Sequence, residues 1–375
     1  MAAHSRHHSP MRLERVRPGS PIDRALVGAV LTRDLVVGDA RWSKGRRLSE
    51  HDLLALERGQ AVGRGPWAER AAVEDGVASP LSVTVLIPEA GDVHENDAAV
   101  RLAAALAGTG VSLRGPLESR IDLLAQHDGV LRVDTIGLAR IDRIDPVSVF
   151  TAYDGQVVNA GAVVASVKVG PHLVPESVLE RAELALSRRP RALVDVRPFE
   201  KRRVAALVRE TLGQAARERF EASVRTRVER LGSKLIEISY VPDDANEVTA
   251  RLRRLTSGSP AVDVLLTAGA GSTDPYDPVF VALAALHGRV VSHGVPAHPG
   301  SMLWLGRLHR TTIIGLPTCG AYSKATAVDL LLPWLLAGDP PTRSTVARLG
   351  HGGLLTRDMR FRMPSYARDL DAPDG

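Results

Sequence analysis

From position 204 onward, short apolar runs alternate with amphipathic stretches. Residues 204–208, 235–241 and 262–267 read as buried strands, and 220–231, 246–255 and 279–286 as the helices between and after them. Strands alternating with helices of this kind predict a parallel sheet covered on both faces. Residues 312–315 predict a further strand, followed by a loop and a long apolar helix. Gly338-Asp339-Pro340-Pro341 ends that helix, because proline cannot continue it.

The N-terminal half has a different texture. Residues 49–56 predict a helix with Ser49 as N-cap. Residues 81–87 predict a strand. The run from Asp92 to Asp97 leads into a helix over 98–107, with Asp92 or His94 either capping it or helping to line a polar site. Residues 117–170 are β-rich. Residues 129–133 alternate as a half-buried strand should, and 157–169 predict a hairpin turning at Asn159 to Gly161. A helix follows over 175–187, and 188–198 hold a linker or short strand.

The fold class expected is therefore α/β. A three-layer α/β/α C-terminal domain with a mostly parallel sheet follows a mixed α and β-rich N-terminal module. The expected boundaries are a disordered tail over 1–20, an N-terminal α/β segment over 21–116, a β-rich module and linker over 117–200, the sheet domain over 201–338, and a C-terminal tail over 339–375.

Composition narrows the function. A chain of 375 residues holds two or three domains, and its 44% hydrophobic content suits buried cores. Aromatics make up 4%, too few for a single-strand nucleic-acid platform, which stacks bases on rings. The formal charge of +5 comes from arginines interleaved with acids, which predicts a mixed surface or a local basic face for an anion. With one cysteine, Cys319, no intramolecular disulfide can form, and a cytoplasmic location is the expectation. No apolar run approaches the ~20 residues that span a bilayer. The histidines are scattered and include no H-E-x-x-H, which argues against zinc.

Candidate chemistry lies where strands give way to helices. Thr267-Ala268-Gly269-Ala270-Gly271-Ser272 follows a strand, and a helix is expected to begin near Asp274. Glycines let backbone N–H groups approach a phosphate, Ser272 adds a donor, and a helix N-terminus favours negative charge. Gly315-Leu316-Pro317-Thr318-Cys319-Gly320 repeats the arrangement after the next strand. Two such loops at strand ends point to a phosphorylated ligand in the crevice between them. Each loop also reads as an ordinary strand-to-helix turn. Asp274 serves equally as a helix-start residue, and Cys319 as a small buried residue. Asp243 and Asp244 end another strand, where they read either as an N-cap with a solvated neighbour or as support for the site.

These residues also resemble a known family. The run Thr267 to Ser272, with Asp277 five residues on, is similar to the T-x-G-G-x-S…D loop of molybdopterin-binding domains. Pro299-Gly300, Gly306-Arg307-Leu308 and Gly315-Leu316-Pro317 follow in the order seen in molybdopterin molybdenumtransferases, and Gly28 to Leu35 resembles a segment near their start. Four ordered elements over 262–336 are more specific than one glycine loop. The resemblance implies that molybdopterin, or its adenylylated form, is held by Thr267, Gly269, Gly271, Ser272, Pro299, Gly300, Gly315, Pro317, Cys319 and Lys324. It implies Asp277 and Asp274 as catalytic residues, Mg²⁺ on Asp277, molybdate as co-substrate, and a homo-oligomer. Ala270 departs from the family loop. His298 and Ser301 stand where the family carries K-P-G-K lysines, and Leu316 to Gly320 is nearer a divergent G-L-P-x-C form. The expected activity is insertion of molybdate with release of AMP. The alternative is a carrier that delivers the cofactor to a molybdoenzyme. Neither involves nucleic acid or a membrane.

Overall fold

Apolar strands buried on both faces form the centre of a six-stranded sheet in the C-terminal half, and its two outer strands are more polar and only partly buried. The computed structural model describes residues 12–59, the backbone of 61–63, and residues 82–209, 212–269, 273–316, 324–339 and 342–367. Strands β1 (Arg203–Val208), β2 (Lys234–Tyr240), β3 (Val264–Ala268), β4 (Arg289–His293), β5 (Trp304–Leu308) and β6 (Thr311–Gly315) form one sheet in the order β2-β1-β3-β6-β5-β4. Pairing is parallel from β2 to β6 and antiparallel from β6 to β4. The reversal is local in origin. Only His309 and Arg310 separate β5 from β6, and so short a connection permits only a hairpin.

Alternate residues of each strand feed opposite layers. Val204, Ala206, Val208, Leu266 and Ile314 pack under helices α1 (Gln214–Glu229) and α4 (Val328–Leu336). Ala205, Leu207, Leu265, Ile313 and Trp304 pack under α2 (Ala245–Ser257) and α3 (Pro278–Ala285). The expected three-layer α/β/α domain with a mostly parallel sheet is what the chain forms.

The N-terminal half is β-rich and mixed. Helices Glu95–Leu106 and Glu176–Ser187 cover a four-stranded antiparallel sheet built from Val147–Thr151, Val163–Val169, Arg120–Ala125 and Val111–Leu117. Ser49 caps Glu50–Glu57 through a capping box with Asp52. Across the halves, Trp334 Nε1 donates to the Gly155 carbonyl at 3.0 Å, and the Arg132 guanidinium lies 5.2 Å over the Trp334 ring.

Several expectations change. The run 157–169 is not a hairpin. Val157–Val158 pairs with Gly129–Val133, while Val163–Val169 sits between Val147–Thr151 and Arg120–Ala125 in another sheet. Non-local burial of Val164 and Val167 outweighs the local turn signal. Part of the supposed N-terminal tail is a strand, since Arg12–Val16 pairs antiparallel with Val83–Ile87 and buries Val16. The C-terminal segment 342–367 lies against the sheet domain, with Val346, Leu349, Leu355, Met363 and Tyr366 buried in the same core as α1 and α4. Its apolar residues are spaced irregularly, so no helical period announced their burial. Helix α3 begins at Pro278 rather than near Asp274, because proline suits the first helical position and Asp277 accepts from Val279 N at 2.9 Å.

One ion pair lies in the middle of this core. Arg227 on α1 is fully buried, as is Asp329 on α4. Arg227 Nε donates to Asp329 Oδ1 at 3.0 Å, its Nη2 to the Lys324 carbonyl at 2.9 Å, and its Nη1 to Ser223 Oγ. Asp329 Oδ2 also accepts from Thr326 N at 2.8 Å. Burial, with the Asp329 charge next in effect, holds the enclosed Tyr366 hydroxyl well above its ordinary pKa. Removing one member of a buried pair strands the other charge, at a cost of about 3–5 kcal/mol. Asp329→Asn should lose stability of that order in urea unfolding of the full chain. The double variant Arg227→Met with Asp329→Leu should recover most of it.

Candidate functional site

The parallel strands β1, β2, β3 and β6 end along one edge, and the β4–β5 connection reaches the same edge because β5 runs opposite to β6. Thr267 on β3 and Gly315 on β6 are register partners, and Gly315 in turn pairs with Trp304 on β5. Leu316 N donates to the Thr267 carbonyl at 2.7 Å, which ties the second loop to the first. Gly269 leaves β3 with φ +85°, a left-handed turn that glycine adopts without strain. Ligands of open α/β sheets bind at such an edge.

Arg209, one residue past β1, organises the edge. Its Nη2 donates to Asp277 Oδ2 and to the Gly269 carbonyl, and its Nη1 to Asp243 Oδ1. Three strand-end loops thus converge on one guanidinium. The carboxylates differ in setting. The Asp277 side chain is 3% exposed and also caps α3, whereas Asp243 is 67% exposed. The neighbouring Asp244 caps α2, accepting from Asn246 N and Glu247 N at 2.9 and 3.0 Å. Arg209 is not among the residues that the sequence singles out. The available signal was a lone arginine at a strand end, between two loops that carry aspartates.

Thr267, Gly315 and Trp304 form a row on the face covered by α3. A Cβ at Gly315 would lie 1.8 Å from Trp304 Nε1, so glycine is what lets the indole cross the sheet there. The indole packs against Phe280 with centroids 4.8 Å apart. Thr267 Oγ1 and Trp304 Nε1 are both buried with no hydrogen-bond partner among the described residues. Buried polar atoms in that state are uncommon, and they make the floor of the edge locally polar.

The remaining candidates fall in three groups. Pro299 and Gly300 are at the edge but built in. The Pro299 carbonyl accepts from Ala327 N at 3.0 Å, and Gly300, with φ +105°, leaves no room for a Cβ against Thr326 and Ala327. On the other side, His298 exchanges backbone bonds with Gly353 and Leu355. Lys324 is exposed, and its carbonyl is held by Arg227. Asp274 does not cap α3. It is exposed and accepts from Tyr276 N at 2.9 Å within the preceding turn, because Pro278 delays the helix. Gly271, Ser272, Pro317 and Cys319 lie outside the described residues.

Mg²⁺ on Asp277 is a poor fit to the residues present. One carboxylate oxygen is taken by the α3 backbone and the other by Arg209, whose fixed positive charge stands where a cation would. Among the described residues no three His, Cys, Asp or Glu side chains are placed to share a metal ion. The Asp92 to Asp97 run belongs to another part of the molecule. His94, not Asp92, caps the helix there and bonds the Gly45 carbonyl at 2.7 Å, Glu95 meets His172 at 2.9 Å, and Asp97 pairs with Arg47. Among the described residues no helix is long and apolar enough to cross a membrane.

At the end of β2, Tyr240 donates to Glu221 Oε1 at 3.0 Å, with the Arg217 guanidinium 4.0 Å over its ring. Burial, reinforced by Glu221, pushes its hydroxyl up to about 12.

Comparison with known proteins places this domain. Residues 206–337 match the family described as probable molybdopterin binding domain, a span running from β1 to just past α4. No match was found among curated proteins. Among solved structures, the molybdopterin biosynthesis enzyme MoaB from Thermus thermophilus is 22% identical, with a TM-score of 0.29, over 37% of this chain and 98% of that one. The molybdopterin biosynthesis MoeA protein from Pyrococcus horikoshii is 15% identical, with a TM-score of 0.28, over 69% of this chain and 81% of that one. Likenesses at these TM-scores add nothing to the domain match.

Two outcomes follow from this geometry. Gly315→Ala should cost about 1–3 kcal/mol by overpacking, and thermal unfolding should show that increment shrink in a Trp304→Leu background. Tyr240 keeps its proton longer when folded than when unfolded, so its contribution to stability is complete below about pH 10 and lost as pH rises towards 12. Tyrosinate absorbance should show late-titrating groups, the enclosed Tyr366 among them, and Tyr240→Phe should remove one of them while leaving Tyr366.

Proposed function

From the premise that residues 206–337 are a domain of the probable molybdopterin-binding family, we propose that the protein binds molybdopterin or its adenylylated form in molybdenum cofactor biosynthesis. The observation that carries this reading is the convergence at one sheet edge. Thr267, Gly269, the α3 N-terminus at Asp277, and Gly315 meet there, and in sequence Gly271 and Ser272 follow the first of these strands and Pro317 and Cys319 the second. Backbone amides and a helix N-terminus suit a phosphate. Pro299, Gly300 and Lys324 support the edge from the β4–β5 connection and the α4 approach.

A carrier role is favoured over molybdate insertion by two features. His298 and Ser301 supply less fixed charge than a pair of lysines would. Asp277 is committed to Arg209 and to its own helix, which leaves it ill suited to a metal. As a carrier, the protein would grip the phosphorylated pterin and pass it to a molybdoenzyme.

Anaerobic calorimetry with molybdopterin and with the adenylylated form, with and without Mg²⁺ and molybdate, tests both readings. Tight binding to the full chain, at least tenfold weaker in Asp277→Ala, is expected. Binding without AMP release would support the carrier, and molybdate-dependent AMP release would establish insertion instead. If neither pterin binds, the proposal fails.

A further inference from the structure

We propose that Arg209 is the receptor for a tetrahedral oxyanion at this edge, and that Asp243 is an internal stand-in which the oxyanion displaces. The inference deepens the function proposed above and rests on it for the identity of the natural ligand.

The guanidinium is held from two sides that differ in permanence. On one side, Nη2 is fixed by Asp277, which is buried and committed to α3, and by the Gly269 carbonyl. On the other side, Nη1 is held by Asp243, which follows Pro242 on the β2–α2 loop. Its side chain is two-thirds exposed and can swing into water at little cost, whereas Asp277 cannot. Asp244 caps α2 by itself, so release of Asp243 leaves that helix start intact. Arg209 also keeps its Nε buried without a hydrogen-bond partner among the described residues, a further donor on the same group.

Charge decides which state binds an anion. With both carboxylates in place, one guanidinium faces two negative charges, and the cluster repels an incoming oxyanion. With Asp243 swung away, Arg209 and Asp277 balance, and the Nη1 donors face the edge. A phosphate or molybdate there meets a planar fork that suits its oxygens. The site then needs no divalent cation, in keeping with the poor fit of Mg²⁺ to Asp277. The same device sets selectivity, because a ligand must out-compete a tethered carboxylate, which weak monovalent anions do poorly.

The test uses the full chain in EDTA, titrated calorimetrically with inorganic phosphate and with molybdate at constant ionic strength. Asp243→Asn, an exposed change that leaves Asp277 and α3 untouched, should bind the oxyanion about two- to fivefold more tightly than the wild type, the range of a partly exposed ion pair. Arg209→Gln should lose binding, and Asp243→Asn should give no gain in that background. Phosphate alone gaining from Asp243→Asn would assign the position to the phosphate of the pterin, and molybdate alone would assign it to the metal oxyanion. Unchanged or weaker binding in Asp243→Asn, no detectable binding in either protein, the same gain without Arg209, or binding only with added Mg²⁺ would each overturn the proposal. Pterin binding is measured separately. Its absence beside an Asp243→Asn gain would sink the cofactor reading and leave the oxyanion site standing. Should Arg209→Gln unfold, the Asp243→Asn comparison decides alone.

Discussion

The buried pair of Arg227 and Asp329 is the constraint on which the sheet domain depends. Two charges removed from water are tolerable only if every donor and acceptor is used, and here nearly all are. The pair joins α1 to α4 and also holds the Lys324 carbonyl and the Thr326 amide. It therefore fixes the chain just before α4, against which Pro299 and Gly300 are packed. A hydrophobic pair could join the helices as well, but it would not specify where residues 324–327 lie. The interaction converts core packing into the position of a loop at the functional edge.

Arg209 plays the corresponding part on the other side of the sheet's end. It gathers the loops after β1, β2 and β3, just as Arg227 gathers α1, α4 and the approach to α4. The two arginines differ in what surrounds them. Arg227 is enclosed and satisfied, so it serves structure. Arg209 keeps one partner in water, so it can exchange that partner. Between them runs the Thr267, Gly315 and Trp304 row, where the absence of a Cβ at Gly315 lets an indole lie across the sheet. Close packing here leaves little freedom for the edge to shift as a whole, which favours local exchange at Arg209 over movement of strands.

Much of the fold was legible in the chain itself. Apolar runs of strand length separated by amphipathic helices are forced into a parallel sheet with two covers, because both faces of each strand must be buried. The strands at 204–208, 235–241 and 262–267, the helix at 175–187, and the Ser49 cap all follow from local rules of period and capping. The glycine loop and Asp277 were also legible, through their order along the chain. Asp277 proved to be the cap because Pro278 dictates where α3 starts, a rule that the sequence already contained.

What only the tertiary structure decided are the pairings between distant residues. Arg227 falls on the apolar stripe of its helix with Phe220, Val224 and Val228, and Asp329 sits inside an apolar helix, so each was visible as a charge in the wrong place. That they neutralise each other across 102 positions was not visible, since local pattern carries no information about partners so far apart. The same holds for Arg209 with Asp243 and Asp277, and for the split of 157–169 between two sheets. Period and turn chemistry are properties of neighbouring residues and determine the elements. Charge pairing and sheet registry are properties of assembled elements, and they determine the site.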